Sequence, residues 1–246
     1  MQNYYGRLCT KMYEILHRTA PQDELAFYLS YPNMGDRILE PLCGSGRFLI
    51  PFLERGFDIQ GIDLSEEMLA ELRQKAPGAK VTRTDVLAYE PDGQFDYIFI
   101  SSGSISLFTD KEACGRVLSK MRAILRRGGK FVFAAETMAD RCDSGGDYQI
   151  TASVETAAGE TLVLKTKYSY DAATQTQFSP GIYALYRDGE LLQTEDMDFQ
   201  THLYRLGEMD RMLEEAGFSE IKVYGAFDKS PAVSDQAEMF LYECSW

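Results

Sequence analysis

The chain has 246 residues, of which 45% are hydrophobic and 26% are charged, as is usual for a globular protein with a full core. Its net charge of −13 argues against a general nucleic-acid-binding surface, because binding to phosphates requires a basic stripe. Five scattered cysteines without a CxxC pattern and only two histidines favour reduced thiols and argue against a metal site.

The N-terminal sequence lacks the apolar core of a signal peptide, and no run approaches the ~20 apolar residues needed to cross a bilayer. We therefore expect a cytoplasmic protein that does not associate with a membrane. Residues 1–35 are predicted to be a helical segment interrupted at Pro21. The tyrosines in this segment form either an ordinary amphipathic face or part of a lid over a ligand: Tyr4, Tyr5 and Tyr13.

A glycine-rich turn lies at the centre of the next predicted unit. The elements follow in this order: a strand closing at Ile38–Leu39, a turn over 40–46, a helix over 47–55, a strand over 57–62, and Asp63. Glycines let a ligand approach the backbone beside a helix N-terminus, where a Cβ atom would clash. An acid at the tip of the second strand accepts hydrogen bonds from ribose hydroxyls, so this βαβ unit predicts a nucleoside-containing cofactor.

Strand and helix patterns alternate up to residue 137, about four to five times in all. The further predicted elements are a helix over 65–75 with Ser65 as N-cap, strands over 80–84 and 94–101, a helix over 111–125, a closing turn over 126–129, and a strand over 130–135. The segment FDYIFI at 95–100 is a nearly continuous apolar run, as is typical of strands buried in parallel sheets.

The alternation then stops. Residues 144–205 are rich in Thr, Val, Tyr and Gln with recurrent turn signals, which predicts an antiparallel insertion of three to five strands. A helix over 206–216 and strands over 218–223 and 237–244 complete the chain. This order predicts a mostly parallel sheet with helices on both faces and an antiparallel pair at its end.

Two interpretations compete for the glycine turn. The dinucleotide fingerprint GxGxxG requires a third glycine for close helix–strand packing, and Leu49 occupies that position after Gly44 and Gly46. An NAD(P) site is therefore weakened, and the phosphate-binding pattern GxxxxGK[ST] is absent.

The segment Glu40-Pro41-Leu42-Cys43-Gly44-Ser45-Gly46 resembles motif I of the class I S-adenosylmethionine-dependent methyltransferases, E/D-x-G-x-G-x-G. Asp63 after the second strand, Asp85 after the third, and the small-residue loop after FDYIFI also match that family in order. The resemblance covers residues 36–137 well and 206–244 by topology, with Leu42 replacing the first motif glycine. It implies a Rossmann-like, seven-stranded, doubly wound α/β sheet with an antiparallel last strand, formed by 36–143 and 206–246, with 144–205 as the substrate region.

The resemblance also implies roles for individual residues toward S-adenosylmethionine. Glu40 would hold the methionine ammonium, and the Gly44–Gly46 backbone would pass under the methionine portion. Asp63 would accept hydrogen bonds from both ribose hydroxyls. Because Asp63 lies at a strand tip, we expect its replacement to change folding little. The remaining implied contacts to the cofactor are Tyr13, Leu64, Met68, Asp85, Val86, Ser101 and Ser102; for Asp85 a helix N-cap is the alternative.

The chemistry implied by the resemblance is methyl transfer to a small-molecule amine or hydroxyl by in-line displacement, in a monomer or homodimer. Two residues are weak candidates for a general base, His202 near the end of the insertion and Glu136 after the fifth strand. The alternatives are a non-enzymatic nucleoside-binding regulator and an NAD(P)-dependent oxidoreductase. The layout is nearest to bacterial small-molecule methyltransferases that act on amino sugars or glycine-like amines.

Overall fold

The computed structural model describes residues 3–143 and 145–246; Met1, Gln2 and Ser144, which the predicted N-terminal segment and insertion include, lie outside the described residues. The strands are β1 (Arg37–Pro41), β2 (Asp58–Asp63), β3 (Lys80–Arg83), β4 (Phe95–Ile100), β5 (Leu125–Glu136), β6 (Gln149–Glu155), β7 (Thr161–Thr166), β8 (Ser169–Asp171), β9 (Thr176–Phe178), β10 (Gly181–Arg187), β11 (Glu190–Met197), β12 (Gln200–His202), β13 (Glu220–Tyr224) and β14 (Met239–Ser245). The α-helices are α1 (Arg7–Leu16), α2 (Gln22–Leu29), α3 (Leu49–Glu54), α4 (Glu66–Lys75), α5 (Lys111–Ile124) and α6 (Glu208–Glu215).

The main sheet has seven strands in the order β13-β14-β5-β4-β1-β2-β3. Strands β1 to β5 pair in parallel, whereas β14 runs antiparallel to both β5 and β13. The predicted fold class, a mostly parallel seven-stranded sheet with an antiparallel last strand, is confirmed.

Helices cover both faces of this sheet and account for its apolar strands. On one face, α5 and α6 contribute residues such as Leu118 and Leu213 to a buried cluster with Phe131 and Phe133. On the other face, α2, α3 and α4 pack against alternate residues of the same strands, including Tyr97 and Phe99 of β4. Because successive side chains of a strand point to opposite faces, a strand covered twice is apolar throughout.

Several element boundaries differ from the sequence-based predictions. The alternation is broken between β3 and β4, where residues 84–94 form a loop without a helix. Helix α3 begins at Leu49, not at residue 47. The predicted closing turn 126–129 is instead a bulge within β5: Phe95 pairs with Leu125 but Tyr97 pairs with Lys130, so four residues of β5 are accommodated between these pairs.

The antiparallel insertion contains seven strands, so the prediction of three to five was wrong. Four form the sheet β11-β10-β7-β6 and three form the sheet β12-β9-β8. Each strand of the smaller sheet has only three residues, which is too short to show a period of two in sequence. No helix within 3–143 and 145–246 is both long and apolar enough to cross a bilayer.

Helix α1 packs on the four-stranded sheet of the insertion. Leu8, Cys9 and Met12 of α1 form a buried cluster with residues such as Tyr183 and Met197. The helix has no side-chain cap of its own at Gly6. Instead, the Glu195 carboxylate on β11 accepts hydrogen bonds from the backbone N–H groups of Leu8 (2.9 Å) and Cys9 (3.0 Å). Glu195 therefore caps the N-terminus of a helix from 187 residues away along the chain.

Replacing Glu195 by alanine should lower the free energy of unfolding by about 1–2 kcal/mol, because two helix N–H groups lose their carboxylate acceptor. Urea denaturation at pH 7 measures this. The matched control is Asp196→Ala on the same strand, since Asp196 is exposed and its substitution should change stability by less than about 0.5 kcal/mol. Equal effects of the two substitutions would contradict the capping role.

Candidate functional site

The glycine turn after β1 has the backbone geometry that its sequence requires. Gly44 (φ 51°) and Gly46 (φ 84°) lie in the left-handed region, and a Cβ atom on Gly46 would approach Leu72 Cγ to 2.8 Å. Leu42 also has a left-handed φ of 59°, at the position where the motif carries its first glycine. At this position a leucine adopts the left-handed conformation that usually requires glycine, which strains its backbone.

Asp63, at the end of β2, holds this turn. Its Oδ2 accepts the Gly44 N–H (2.8 Å) and its Oδ1 accepts the Ser65 N–H (2.8 Å). Burial raises the pKa of Asp63, and these backbone hydrogen bonds oppose the rise. The expectation that folding does not require Asp63 is therefore corrected: the carboxylate bonds to the backbone on both sides of the crevice.

A cavity of about 280 Å³ opens beside the turn and under the N-terminal segment. Five of the predicted contact residues line it: Tyr13, Gly44, Asp63, Leu64 and Met68. A Cβ atom on Gly44 would have only Met68 Sδ nearby, at 4.0 Å, so this face of the turn is open to the cavity. Sequence reasoning missed several other lining residues, namely Asn3, Leu42, Ser65, Ser104, Leu107 and Phe108, while Tyr4 and Tyr5 match the lid alternative.

Glu40, the last acid of β1, lies deeper in the fold and does not border this cavity. Its side chain is almost fully buried, at 1% exposure. Ser101 Oγ donates a hydrogen bond to Glu40 Oε1 (3.1 Å), whereas Oε2 has no hydrogen-bond partner. Burial raises the pKa of Glu40 well above its usual range, and the Ser101 hydrogen bond and the nearby Arg47 counteract it.

Ser102 follows the Ser101 that binds Glu40, and it connects this region to the N-terminal helices. Its N–H donates to Glu24 Oε1 (2.8 Å), and Arg47 Nη2 donates to its Oγ. The Arg47 guanidinium lies 5.7 Å from the centre of the Tyr13 ring. Sequence reasoning missed Glu24, which is buried although its local pattern is that of an ordinary acid in the first turn of a helix.

The structure does not bring Asp85 and Val86 to the cavity wall. Asp85 is exposed, and its Oδ1 accepts the Leu87 N–H (2.8 Å). Val86 is buried in the core cluster with Ile62 and Ile105. Asp85 thus caps a turn. It is not a helix N-cap, because residues 84–94 contain no helix.

The two candidate bases differ in their surroundings. His202 is buried, its Nε2 lies 3.0 Å from Glu208 Oε1, and Lys111 binds the same carboxylate oxygen at 2.8 Å. These partners, with Gln175, hold the pKa of Glu208 far below its usual range, and His202 lines neither cavity described in this section. Glu136, at the end of β5, has no such ion pair. Burial raises the pKa of Glu136 to about 7, with a Thr201 hydrogen bond opposing the rise.

A second cavity, of about 320 Å³, lies between α1 and the four-stranded sheet of the insertion. Tyr5 and Tyr13 line both cavities, so these two rings form a common wall. Their centroids are 6.4 Å apart in an edge-on arrangement. Within the part of the chain that the structure describes, no group of three or more His, Cys, Asp or Glu side chains is arranged to hold a metal ion.

Residues 38–129, which contain the glycine turn and strands β1 to β4, match the family model described as a methyltransferase domain. The overall fold is shared with a solved S-adenosylmethionine-dependent methyltransferase. The resemblance to the class I enzymes of this kind is therefore confirmed for this stretch, and the chain shares their fold.

The chain is similar along its length to the putative methyltransferase YqeM of Bacillus subtilis (strain 168), with 25% identity over 245 residues and 93% of each chain covered. A solved S-adenosylmethionine-dependent methyltransferase from Clostridium acetobutylicum ATCC 824 has a TM-score of 0.77 and 16% identity, covering 95% of this chain and 96% of its own. The S-adenosylmethionine-bound structure of CalS10, an amino pentose methyltransferase from Micromonospora echinaspora, has a TM-score of 0.69 and 18% identity, covering 99% of both chains. These two structures share the fold.

The half-buried Glu136 should make stability depend on pH. Because its pKa rises on folding, the folded state binds more protons between about pH 4.5 and 7, so stability falls across that window and the loss is complete above pH 7. Glu136→Gln removes the titrating group. Relative to the unsubstituted protein, the free energy of unfolding of the variant should increase by up to about 3 kcal/mol as the pH rises from 4.5 to 8. Urea denaturation at both pH values measures this difference. Parallel pH profiles for the two proteins would contradict this assignment.

Proposed function

We propose that the protein is an S-adenosylmethionine-dependent methyltransferase that acts on a small-molecule amine or hydroxyl. The observation that carries this proposal is the partnerless Oε2 of the buried Glu40 carboxyl group, at the end of β1 beside the glycine turn. An unpaired buried carboxyl oxygen is costly, and a positively charged ligand group removes that cost. The methionine portion of the cofactor carries such a group, an ammonium.

The other residues of the site fit the same ligand. Glu40 would hold the ammonium, and the open face of Gly44 leaves room for the methionine chain to pass close to the backbone. Asp63 uses one lone pair on each oxygen for the backbone, so each oxygen retains a second for a ribose hydroxyl. Leu64 and Met68 supply apolar surface for the adenine. For Asp85 and Val86, an adenine contact stays a prediction from the resemblance.

When bound, the cofactor supplies a methyl group on a sulfonium: the acceptor's lone pair forms the new bond as the S–CH3 bond breaks, leaving a neutral thioether. The chain itself then has three tasks. It aligns the acceptor, which in ideal systems supplies up to ~7–11 kcal/mol of the barrier. It excludes water with the tyrosines of the N-terminal segment. It also accepts the acceptor's proton, through a water molecule, because neither candidate base lines the two cavities. For this role we propose Glu136 rather than His202, because His202 is held by the Glu208 carboxylate, whereas the pKa of Glu136, about 7, suits proton transfer near neutrality.

Titration calorimetry with S-adenosylhomocysteine tests the cofactor assignment directly. Burial raises the pKa of Glu40, and an ammonium held against it would lower that pKa again, so binding should release protons. The binding enthalpy should therefore vary with the ionisation enthalpy of the buffer. Glu40→Gln should abolish most of this buffer dependence and weaken binding.

Absence of S-adenosylhomocysteine binding at submillimolar concentration, or binding of NADH in its place, would overturn the proposal. A complex that forms without any methyl transfer in a screen over amines, phenols and sugars would favour the non-enzymatic nucleoside-binding regulator. Binding without proton release would remove Glu40 from the ammonium site while leaving the cofactor assignment standing.

Asp63→Ala should weaken S-adenosylhomocysteine binding by roughly 1.5–3 kcal/mol, because a charged group that accepts hydrogen bonds is lost. It should also lower the free energy of unfolding by about 1–3 kcal/mol, because the N–H groups of Gly44 and Ser65 lose their acceptor. Calorimetry and urea denaturation measure the two effects. Asp58→Ala, at the exposed opposite end of β2, is the matched control and should leave binding unchanged. Undiminished affinity in Asp63→Ala would exclude Asp63 from the site.

A further inference from the structure

The second cavity is placed where a methyl acceptor has to lie. It is bounded by α1 and by the four-stranded sheet of the insertion, and it shares Tyr5 and Tyr13 with the cavity beside the glycine turn. Its volume of about 320 Å³ is at the lower end of the ~300–1,000 Å³ typical of small-molecule sites. Because the two cavities adjoin at these rings, a ligand seated there would lie next to a cofactor bound in the first cavity.

The lining of this cavity is apolar or neutral. Aromatic, thioether and aliphatic side chains predominate, among them Met12, Leu164, Tyr168 and Phe199. None of the described lining residues is Lys, Arg, Asp or Glu. The thiol of Cys9 is neutral as well, since burial raises its pKa to about 12.

An anionic ligand group would find no cation in this wall. Two basic side chains of neighbouring elements are engaged elsewhere: Lys11 and Arg187 both bind the Glu160 carboxylate, at 2.9 and 2.7 Å. The protein's net charge of −13 adds a repulsive field. A phosphate or carboxylate moved from water into such a cavity loses its hydration without gaining a partner.

A cationic ligand group is disfavoured at the end of the cavity nearest the tyrosine wall. The Arg47 guanidinium lies 5.7 Å from the Tyr13 ring centre, and the Tyr13 ring is 4.8 Å from that of His17. Burial and the nearby Arg47 lower the pKa of His17, which shows that positive charge is unfavourable there. Aromatic rings alone attract cations, but here they already face a guanidinium.

We propose that this cavity binds the methyl acceptor and that the acceptor is an uncharged, largely apolar ring compound bearing a hydroxyl or neutral amine. The inference rests on the proposed methyltransferase function. Polar contacts are available from the His17 imidazole and from neutral hydroxyls such as the Thr151–Thr166 pair, whose Oγ1 atoms are 2.9 Å apart. Sugar nucleotides, whose diphosphate needs cationic partners, are disfavoured as acceptors by this lining.

Matched ligands test the proposal on the full chain saturated with S-adenosylhomocysteine. Neutral phenols and anilines are compared with the same rings carrying a carboxylate or phosphate, and with a nucleoside-diphosphate amino sugar. Calorimetry should show at least about tenfold tighter binding of the neutral member of each pair, since each charged group loses its hydration. Methyl transfer from labelled S-adenosylmethionine should follow the same order.

A second experiment places a charged side chain in the lining of the second cavity. Tyr168→Arg should weaken binding of the neutral ligands about tenfold and reduce the discrimination against the anionic ones, with unchanged affinity for S-adenosylhomocysteine. The matched control is Tyr186→Arg on β10, because Tyr186 lines neither cavity. If Tyr168→Arg does not fold, the ligand pairs on the unsubstituted protein decide the question alone.

The outcomes separate the two proposals. Failure to bind S-adenosylhomocysteine overturns the methyltransferase proposal, and with it the basis of this one. Binding of S-adenosylhomocysteine together with a preference for the anionic or nucleotide ligands overturns only the neutral acceptor. Equal effects of Tyr168→Arg and Tyr186→Arg would place the acceptor outside this cavity.

Discussion

The Asp63 carboxylate is the interaction on which the rest of the site depends. It fastens the glycine turn after β1 through Gly44 and the start of α4 through Ser65. Ser65 continues the chain of hydrogen bonds, because its Oγ accepts the Met68 N–H and donates to the Tyr5 carbonyl (2.7 Å). One half-buried acid thus ties the turn, the helix and the N-terminal segment that covers the cavity into a single network.

The same network explains why the turn tolerates Leu42. A left-handed φ costs a non-glycine residue roughly 1–2 kcal/mol, and nothing in the motif compensates for it. Here the backbone path is fixed from both sides, since Cys43 N–H bonds to the Ile62 carbonyl (3.1 Å) and Gly44 bonds to Asp63. The Leu42 side chain also packs against the core cluster and lines the cavity. The leucine therefore exchanges backbone freedom for apolar surface in the cavity wall.

Features encoded by neighbouring residues were predictable from sequence, and those made by distant residues were not. The apolar run of β4, the Ser65 cap of α4 and the glycine turn each depend on a few consecutive positions, and all were located correctly. In contrast, Glu24 meets Ser102 across 78 residues and Glu195 caps α1 across 187. A carboxylate on an exposed strand carries no local sign of the helix end that it will meet. For the same reason the pattern at 126–129, with two consecutive glycines, correctly indicated a bend but not that β5 continues through it.

The two cavities meet at Tyr5 and Tyr13, yet they depend on different parts of the chain. Apart from Tyr5, the Asp63 network lies within the stretch that matches the methyltransferase family model, residues 38–129. The second cavity is formed by α1 and the insertion, which lie outside that stretch and are joined by Glu195 and the Cys9–Met197 contact. The lining of the second cavity can therefore change in charge and shape without disturbing the glycine turn. A shared fold therefore does not transfer an acceptor, and the charge of the lining is the more informative property of this chain.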